Sequence, residues 1–253
     1  MKSLSNQWAA IVSTYPHPAI EFVGGIVIQT LFFWVPCAFY LALDSIAPAF
    51  SQRHKIQPIP KQPTRADIVH CLQVVLQNQA INLVVHSALL TTMHIYSLPL
   101  TYSLSPTLPG LFEVVFGVAR SVIIREIVFY YVHRIFHLPG VYAGVHKKHH
   151  HFIAPVALAA QYATPTEHIF ANILPIAVPG MIYKGTHVVT YWAFLAFQLA
   201  ETATVHSGYD FFAGAAKMHD SHHELFNMNY GVIGFMDWLH GTNKLPTRRQ
   251  KSE

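Results

Sequence analysis

Charge is what this sequence has least of. Only 11% of its 253 residues are Asp, Glu, Lys or Arg, while 52% are hydrophobic; an ordinary soluble domain carries about 25% charged residues. That imbalance excludes a chain solvated by water alone and makes lipid part of its surroundings. Cysteine is scarce too. Cys37 and Cys71 both sit among apolar residues and form no C-x-x-C, so neither a disulfide framework nor a thiolate metal site is expected. No Gly/Ser tract, charge block or internal repeat divides the chain, and we read residues 1–253 as one membrane-embedded domain. Residues 1–20 lack the charged, apolar and small-residue regions of a secretory signal, which predicts a chain that is not exported. Its basic residues are not interleaved with stacking aromatics, which speaks against nucleic acid as a partner. The tail Lys244, Arg248, Arg249 and Lys251 reads instead as a cytoplasmic, lipid-facing segment.

What is present is apolar length. Phe22 to Leu43 is long enough to cross a bilayer core of about 30 Å, interrupted by Gln29 and a candidate kink at Pro36. Ser51 to Arg65 is polar, holds three prolines and is basic, which predicts an exposed cytoplasmic loop. Ala66 to Leu98 is helical, mixed at first and apolar later. Residues 99–109 form a Pro/Ser/Thr turn, and Leu111 to Tyr131 is a helix charged only at Glu113, Arg120, Arg125 and Glu126. Ile169 to Tyr183 and Val188 to Ala203, split by Lys184, Gly185 and Thr186, predict a hairpin that partly crosses the membrane. No strand-period alternation competes. The expected fold is therefore an all-α integral membrane protein with about four transmembrane helices and a cytosolic histidine-rich helical cap.

Histidine is abundant, with 18 residues against 16 for lysine and arginine together. Eight of them fall in three blocks: HRIFH at 133–137, HKKHH at 146–150 and HDSHH at 219–223. Spacings of three and four place His133 with His137, His146 with His149 and His150, and His219 with His222 and His223, each on one helical face. A single such block would read as a solvated or hydrogen-bonded pair; three blocks flanking apolar helices point to metal. Imidazole suits iron, zinc and copper, and eight ligands exceed what one ion holds, so two metals follow. Two metals can activate dioxygen towards an unactivated C–H bond, a reaction no side chain performs unaided.

The blocks, in this order and spacing, resemble the fatty acid hydroxylase and sterol desaturase superfamily of membrane di-iron enzymes. The resemblance extends to APVALAAQYATPTEH at 154–168, HSGYDF at 206–211 and FNMNYGVIGFMDWLHGT at 226–242, with the catalytic histidine region at about 126–242. Within the superfamily these segments look most like sterol C-4 methyl oxidases and cholesterol 25-hydroxylases. The resemblance implies two iron ions, with zinc as a substitute, and O2-dependent oxidation of a lipid C–H on a sterol-like substrate. It also implies electrons from NAD(P)H through cytochrome b5 and its reductase, and a multi-pass place in the endoplasmic reticulum membrane with the active site facing the cytoplasm. It makes His206 a ninth ligand and His168, after a proline, a further candidate for a metal-site role; Thr202 stands where some members have another histidine. Alternatives from the same residues are a desaturase or hydroxylase of fatty acyl or sphingoid lipids, and a non-catalytic metal-binding membrane scaffold.

Other residues read as support. Asp220 and Glu201 are candidates to orient ligand imidazoles, and equally to serve as helix-cap or ion-pair partners. His151 points away from His150 by about 100° on a helix and reads as exposed. Lys147 and Lys148 read as a solvated face or a docking surface for an acidic electron donor. Tyr209 and Asp210 are candidates to shape the site or meet a substrate head group, and Asp237 and Trp238 to brace the cap or anchor it at the interface. His17, His54, His70, His86, His94, His187 and His240 read as structural or surface residues.

Overall fold

The computed structural model describes residues 3–211 and 214–244; Arg248, Arg249 and Lys251 lie outside them. The described residues are helical and include no β-strand. A short α1 (Leu4–Thr14) precedes a long apolar rod made of α2 (His17–Gln29), a π-turn over Thr30–Trp34 and α3 (Val35–Ile46). Pro36 explains the π-turn. Proline has no N–H and its ring crowds the carbonyl four residues back, and here the Val35 N–H reaches five back, to Thr30. The expected kink at Pro36 thus takes the form of one wide turn just before it.

The short α4 (Pro48–His54) leads to α5 (Arg65–Ile95), which opens with a capping box: the Asp67 N–H donates to Thr64 Oγ1, and the Thr64 N–H to Asp67. Next comes α6 (Leu111–Phe136), then one turn of α7 (Tyr142–Val145). The pair expected as a hairpin is α8 (Pro165–Glu167) running through a second π-turn (His168–Ile173) into α9 (Leu174–Ile182), followed by α10 (Val188–Val205). Pro175 repeats the device at Pro36: the Leu174 N–H reaches back five residues to Ile169. The described residues close with α11 (Ala215–Leu225) and α12 (Phe235–His240).

Among the described residues three helices are long and apolar enough to cross a membrane: His17–Ile46, Arg65–Ile95 and Val188–Val205. The first two bury only about a fifth of their apolar window inside the protein. Side chains such as Val27, Phe39, Leu76 and Val84 face outward, as a lipid solvent requires. The fourth expected span, α6, has the length but carries five charged residues. Two of these are buried and used: Arg125 pairs with Glu201 at 3.2 Å, and Glu126 turns towards the cap.

α6 and α10 run parallel, with Gly117 against Thr190 near their beginnings and Arg125 on Glu201 near their ends. The α2–α3 rod also runs parallel to α10: Gly24 lies against Trp192, and Tyr40 Oη is 3.1 Å from Thr204 Oγ1. These elements therefore end on one face, where the histidine blocks sit. The connection after α4 docks there too, through Lys61 on Glu224 and Gln57 on Asp220.

Candidate metal centre

The helix ends deliver their histidines into two compact groups. His133, His137, His146, His150 and His222 form one; His149, His206, His219 and His223 form the other. Eight of the nine are buried, and His137 is half-buried. The sorting follows helix geometry. Pairs four apart stay together (133 with 137, 146 with 150, 219 with 223), whereas the residue three along, His149 or His222, joins the opposite group. The structure corrects the expectation of one helical stripe for HKKHH. α7 ends at Val145, and His149–His151 form a 3-10 turn, so His146 and His149 diverge.

The hydrogen bonds fix the tautomers. Nδ1 of His133 faces the Tyr230 carbonyl at 2.7 Å, that of His222 the Met228 carbonyl at 2.6 Å and that of His206 the Thr202 carbonyl at 2.8 Å. His149 Nδ1 faces the Tyr162 carbonyl at 3.3 Å. A carbonyl only accepts, so each Nδ1 carries the hydrogen and each neutral ring leaves a bare lone pair on Nε2. The Nε2 atoms of each group, these four lone pairs among them, converge on one another. Nε2···Nε2 separations are 2.9 Å for His133–His146, 3.0 Å for His146–His150 and 3.1 Å for His150–His222. In the second group they are 2.8 Å for His206–His219, 3.1 Å for His219–His223 and 3.4 Å for His149–His206. Where both nitrogens are bare, as for His149 and His206, the lone pairs repel unless a cation lies between them. Metal–nitrogen bonds of about 2.1 Å at right angles place neighbouring donors about 3.0 Å apart, which matches these separations. The residues present therefore fit one metal ion in each group.

Electrostatics agree. Burial, reinforced by the neighbouring imidazoles, holds His146, His219, His222 and His223 well below the ordinary 6.5. Burial brings His149 to about 4 and His206 to about 3. All of them are thus neutral, the form that binds metal, at physiological pH. His146 Nδ1 lies 2.6 Å from Glu167 Oε1. Burial alone pushes that carboxyl well above its usual range, and a cation on His146 Nε2 would restore it as an acceptor for the ring N–H.

The candidates for outer support have partners of their own. Asp220 accepts from Gln57 Nε2 at 2.6 Å, and Glu201 takes the ion-pair role, accepting from Arg125 at 3.2 Å. Burial raises the Asp220 carboxyl to about 7. His168 is buried beside Glu167 but belongs to neither histidine group; its Nδ1 meets Asn172 Nδ2 at 3.1 Å. His151 is exposed, 3.8 Å from Asp67. Lys147 is exposed, and Lys148 leans over the Tyr162 ring. Tyr209 donates to Asp44 at 2.8 Å, Asp210 pairs with Lys217 at 2.8 Å, and Gly208, at φ 78°, supplies the turn between His206 and Tyr209.

Two residues that sequence reading passed over prove central. Glu167 is one; its signal was its place beside His168 in the P-T-E-H stretch. Glu126 is the other. Fully buried, it accepts from the N–H groups of Val232, Ile233 and Met236 at 2.7–3.0 Å. Asp237, also fully buried, accepts from the Tyr230 and Gly231 N–H groups at 2.8 and 2.6 Å and from Thr242 Oγ1 at 2.7 Å. Together they hold the loop whose carbonyls orient His133 and His222. Trp238 beside Asp237 is exposed.

The model of the family described as fatty acid hydroxylase matches residues 118–242, from within α6 to just past α12. Fatty acid hydroxylase domain-containing protein 2 of Homo sapiens is 33% identical across 94% of this chain and 72% of its own length. Fatty acid hydroxylase ahd1 of Mycosarcoma maydis is 34% identical across 92% of this chain and 60% of its own. Methylsterol monooxygenase 1 of Danio rerio is 30% identical across 88% and 78%. No solved structure matches. The family match covers both histidine groups, and the similarity to the relatives runs through nearly the whole chain; the chain belongs to the fatty acid hydroxylase family.

Proposed function

We propose that this chain is a di-iron monooxygenase that inserts one oxygen atom from O2 into a C–H bond of a sterol-like lipid. The observation that carries the reading is the pair of buried Nε2 clusters, with neighbouring nitrogens 2.8–3.4 Å apart. In this reading His133, His137, His146, His150 and His222 hold one iron, and His149, His206, His219 and His223 the other; zinc would fit the same donors. When bound, the metals supply the activation of dioxygen that side chains lack.

The chain's own residues do the rest. Carbonyls of Tyr230, Met228, Thr202 and Tyr162 and the Glu167 carboxylate hold His133, His222, His206, His149 and His146 in the metal-binding tautomer. Burial keeps protons and bulk water from the donors. Val114, Val118, Val122 and Phe197 form a wholly apolar groove on the membrane flank of α6 and α10, suited to lipid. Electrons come from NAD(P)H through cytochrome b5 and its reductase, with exposed Lys147 beside the second histidine block as a docking charge. The basic connection carrying Arg53, Lys55 and Lys61 docks on the histidine face, which supports a cytoplasmic cap on an endoplasmic reticulum membrane. Relatives named methylsterol monooxygenase support the sterol class. The fungal relative named fatty acid hydroxylase supports acyl-chain hydroxylation as a second reading.

The test is iron content and O2-dependent product in membranes supplied with cytochrome b5, its reductase and a panel of sterols and long-chain lipids. Wild type is compared with His149→Ala and His222→Ala. About two irons per chain and a product lost in both variants are expected; no metal and no difference between variants would overturn the reading.

A further inference from the structure

We infer that Gln198 binds a hydroxyl group of the lipid substrate, so that the chain acts on neutral hydroxylated lipids whose hydroxyl is held inside the helical bundle. The inference rests on the oxygenase reading above, because it is that reading that gives the chain a lipid to bind.

Gln198 is only 2% exposed, in the middle of α10, and neither its Oε1 nor its Nε2 has a hydrogen-bond partner. A buried amide without partners is rare in natural interiors, because nothing offsets the loss of its hydration. Such a group is expected where a ligand completes it. Its place on α10 points the same way. Thr190 and Glu201 mark the side facing α6, and Leu199 packs into the core with Phe33 and Cys37. Gln198 lies between those two sides, within the bundle. Gln198, Thr202 and His206 follow at spacings of four, one stripe of the helix. Gln198 is therefore two turns, about 12 Å along the axis, from a histidine of the second group.

A second orphan lies on the neighbouring rod. Gln29 Nε2 is buried without a partner, immediately before the first π-turn. Gly24 against Trp192 and Tyr40 on Thr204 set the register, which brings Gln29 within about one helical turn of the level of Gln198. Wide turns of this kind recur at functional sites. The chemistry of the missing partner follows from the amide. Both its acceptor and its donor are open; a hydroxyl offers one of each, whereas a carboxylate only accepts and an ammonium only donates.

The probes are 5α-cholestan-3β-ol and 5α-cholestane, which differ only in the hydroxyl, with 1-octadecanol and octadecane as a flexible pair. Binding to metal-loaded protein in nanodiscs is read by thermal stabilisation, without an electron donor, for wild type, Gln198→Met and Gln198→Leu. In at least one pair the hydroxylated lipid should bind wild type about tenfold tighter, and both variants should lose that preference while keeping their metal. Equal binding of both members of each pair to wild type would overturn the inference, as would variants that discriminate unchanged; a buried water satisfying Gln198 gives the first result. If both variants lose metal, the wild-type comparison decides alone. Because binding is read without turnover, the preference stands or falls apart from the oxygenase reading. Product formation with unchanged discrimination removes only the assignment of Gln198.

Discussion

An imidazole offers metal whichever nitrogen its surroundings leave bare, so at the residue scale the backbone carbonyls of Tyr230, Met228, Thr202 and Tyr162 matter as much as the histidines they face. Glu167 has the same task for His146, with charge added. Replacing it by the neutral Glu167→Gln should leave the fold intact and weaken metal binding about 10- to 100-fold, read by competition with a chelator; unchanged affinity would reduce Glu167 to a packing role. Sequence reading found eight of the nine clustered histidines because spacings of three and four report directly on helix faces; His206, alone in its segment, came only from the family resemblance. It missed the carbonyls altogether, since a backbone acceptor has no residue signature. For Asp220 and Glu201 it left ring orientation and ion pairing equally open, because their partners Gln57 and Arg125 lie far away in the sequence.

At the scale of elements, the long apolar stretches were legible because crossing lipid demands length and apolarity together. The two π-turns were not. Pro36 and Pro175 signalled a disturbance, but whether a helix kinks, breaks or widens by one residue depends on what packs around it. The contact of α6 with α10 was equally hidden, for it turns on one small residue. A Cβ added at Gly117 would lie 2.5 Å from Thr190 Cγ2. Gly117→Ala should therefore destabilise the bundle by about 1–3 kcal/mol, seen as a lower melting temperature in detergent, and adding Thr190→Ser, which removes that methyl, should restore most of the loss. Failure of the second change to rescue the first would mean that the glycine serves backbone conformation rather than close approach.

For the whole molecule, acid is the natural adversary. His149 and His206 are depressed to about 4 and about 3, whereas in the unfolded chain they titrate near 6.5. Between those values the unfolded state holds more protons, so the stability these residues contribute is intact above pH 6.5 and drains as pH falls towards 4 and then 3. Proton competition for the Nε2 donors acts in the same direction. Metal loss and a falling melting temperature should therefore begin near pH 6.5 and deepen on acidification; a centre still fully loaded below about pH 5 would count against all-histidine ligation. The sequence revealed this vulnerability through its count of histidines. It did not reveal that Glu126, deep in α6, and Asp237, near the end of the described chain, jointly hold the loop 230–236 over the centre. Such a long-range clasp has no local pattern.

The exchange of His149 and His222 between the two groups also bears on how the protein is made. The first group needs His222 and the second His223, so neither can close until synthesis has passed both. At roughly 5–20 residues per second, the stretch from His133 to His222 occupies about 4–18 s, during which α10 must also be threaded into the bilayer. Throughout that interval His133, His137, His146 and His150 stand as an incomplete nest of soft donors, open to whichever ion arrives first. Which metal such a centre would take is then a matter of supply at the ribosome as much as of ligand preference.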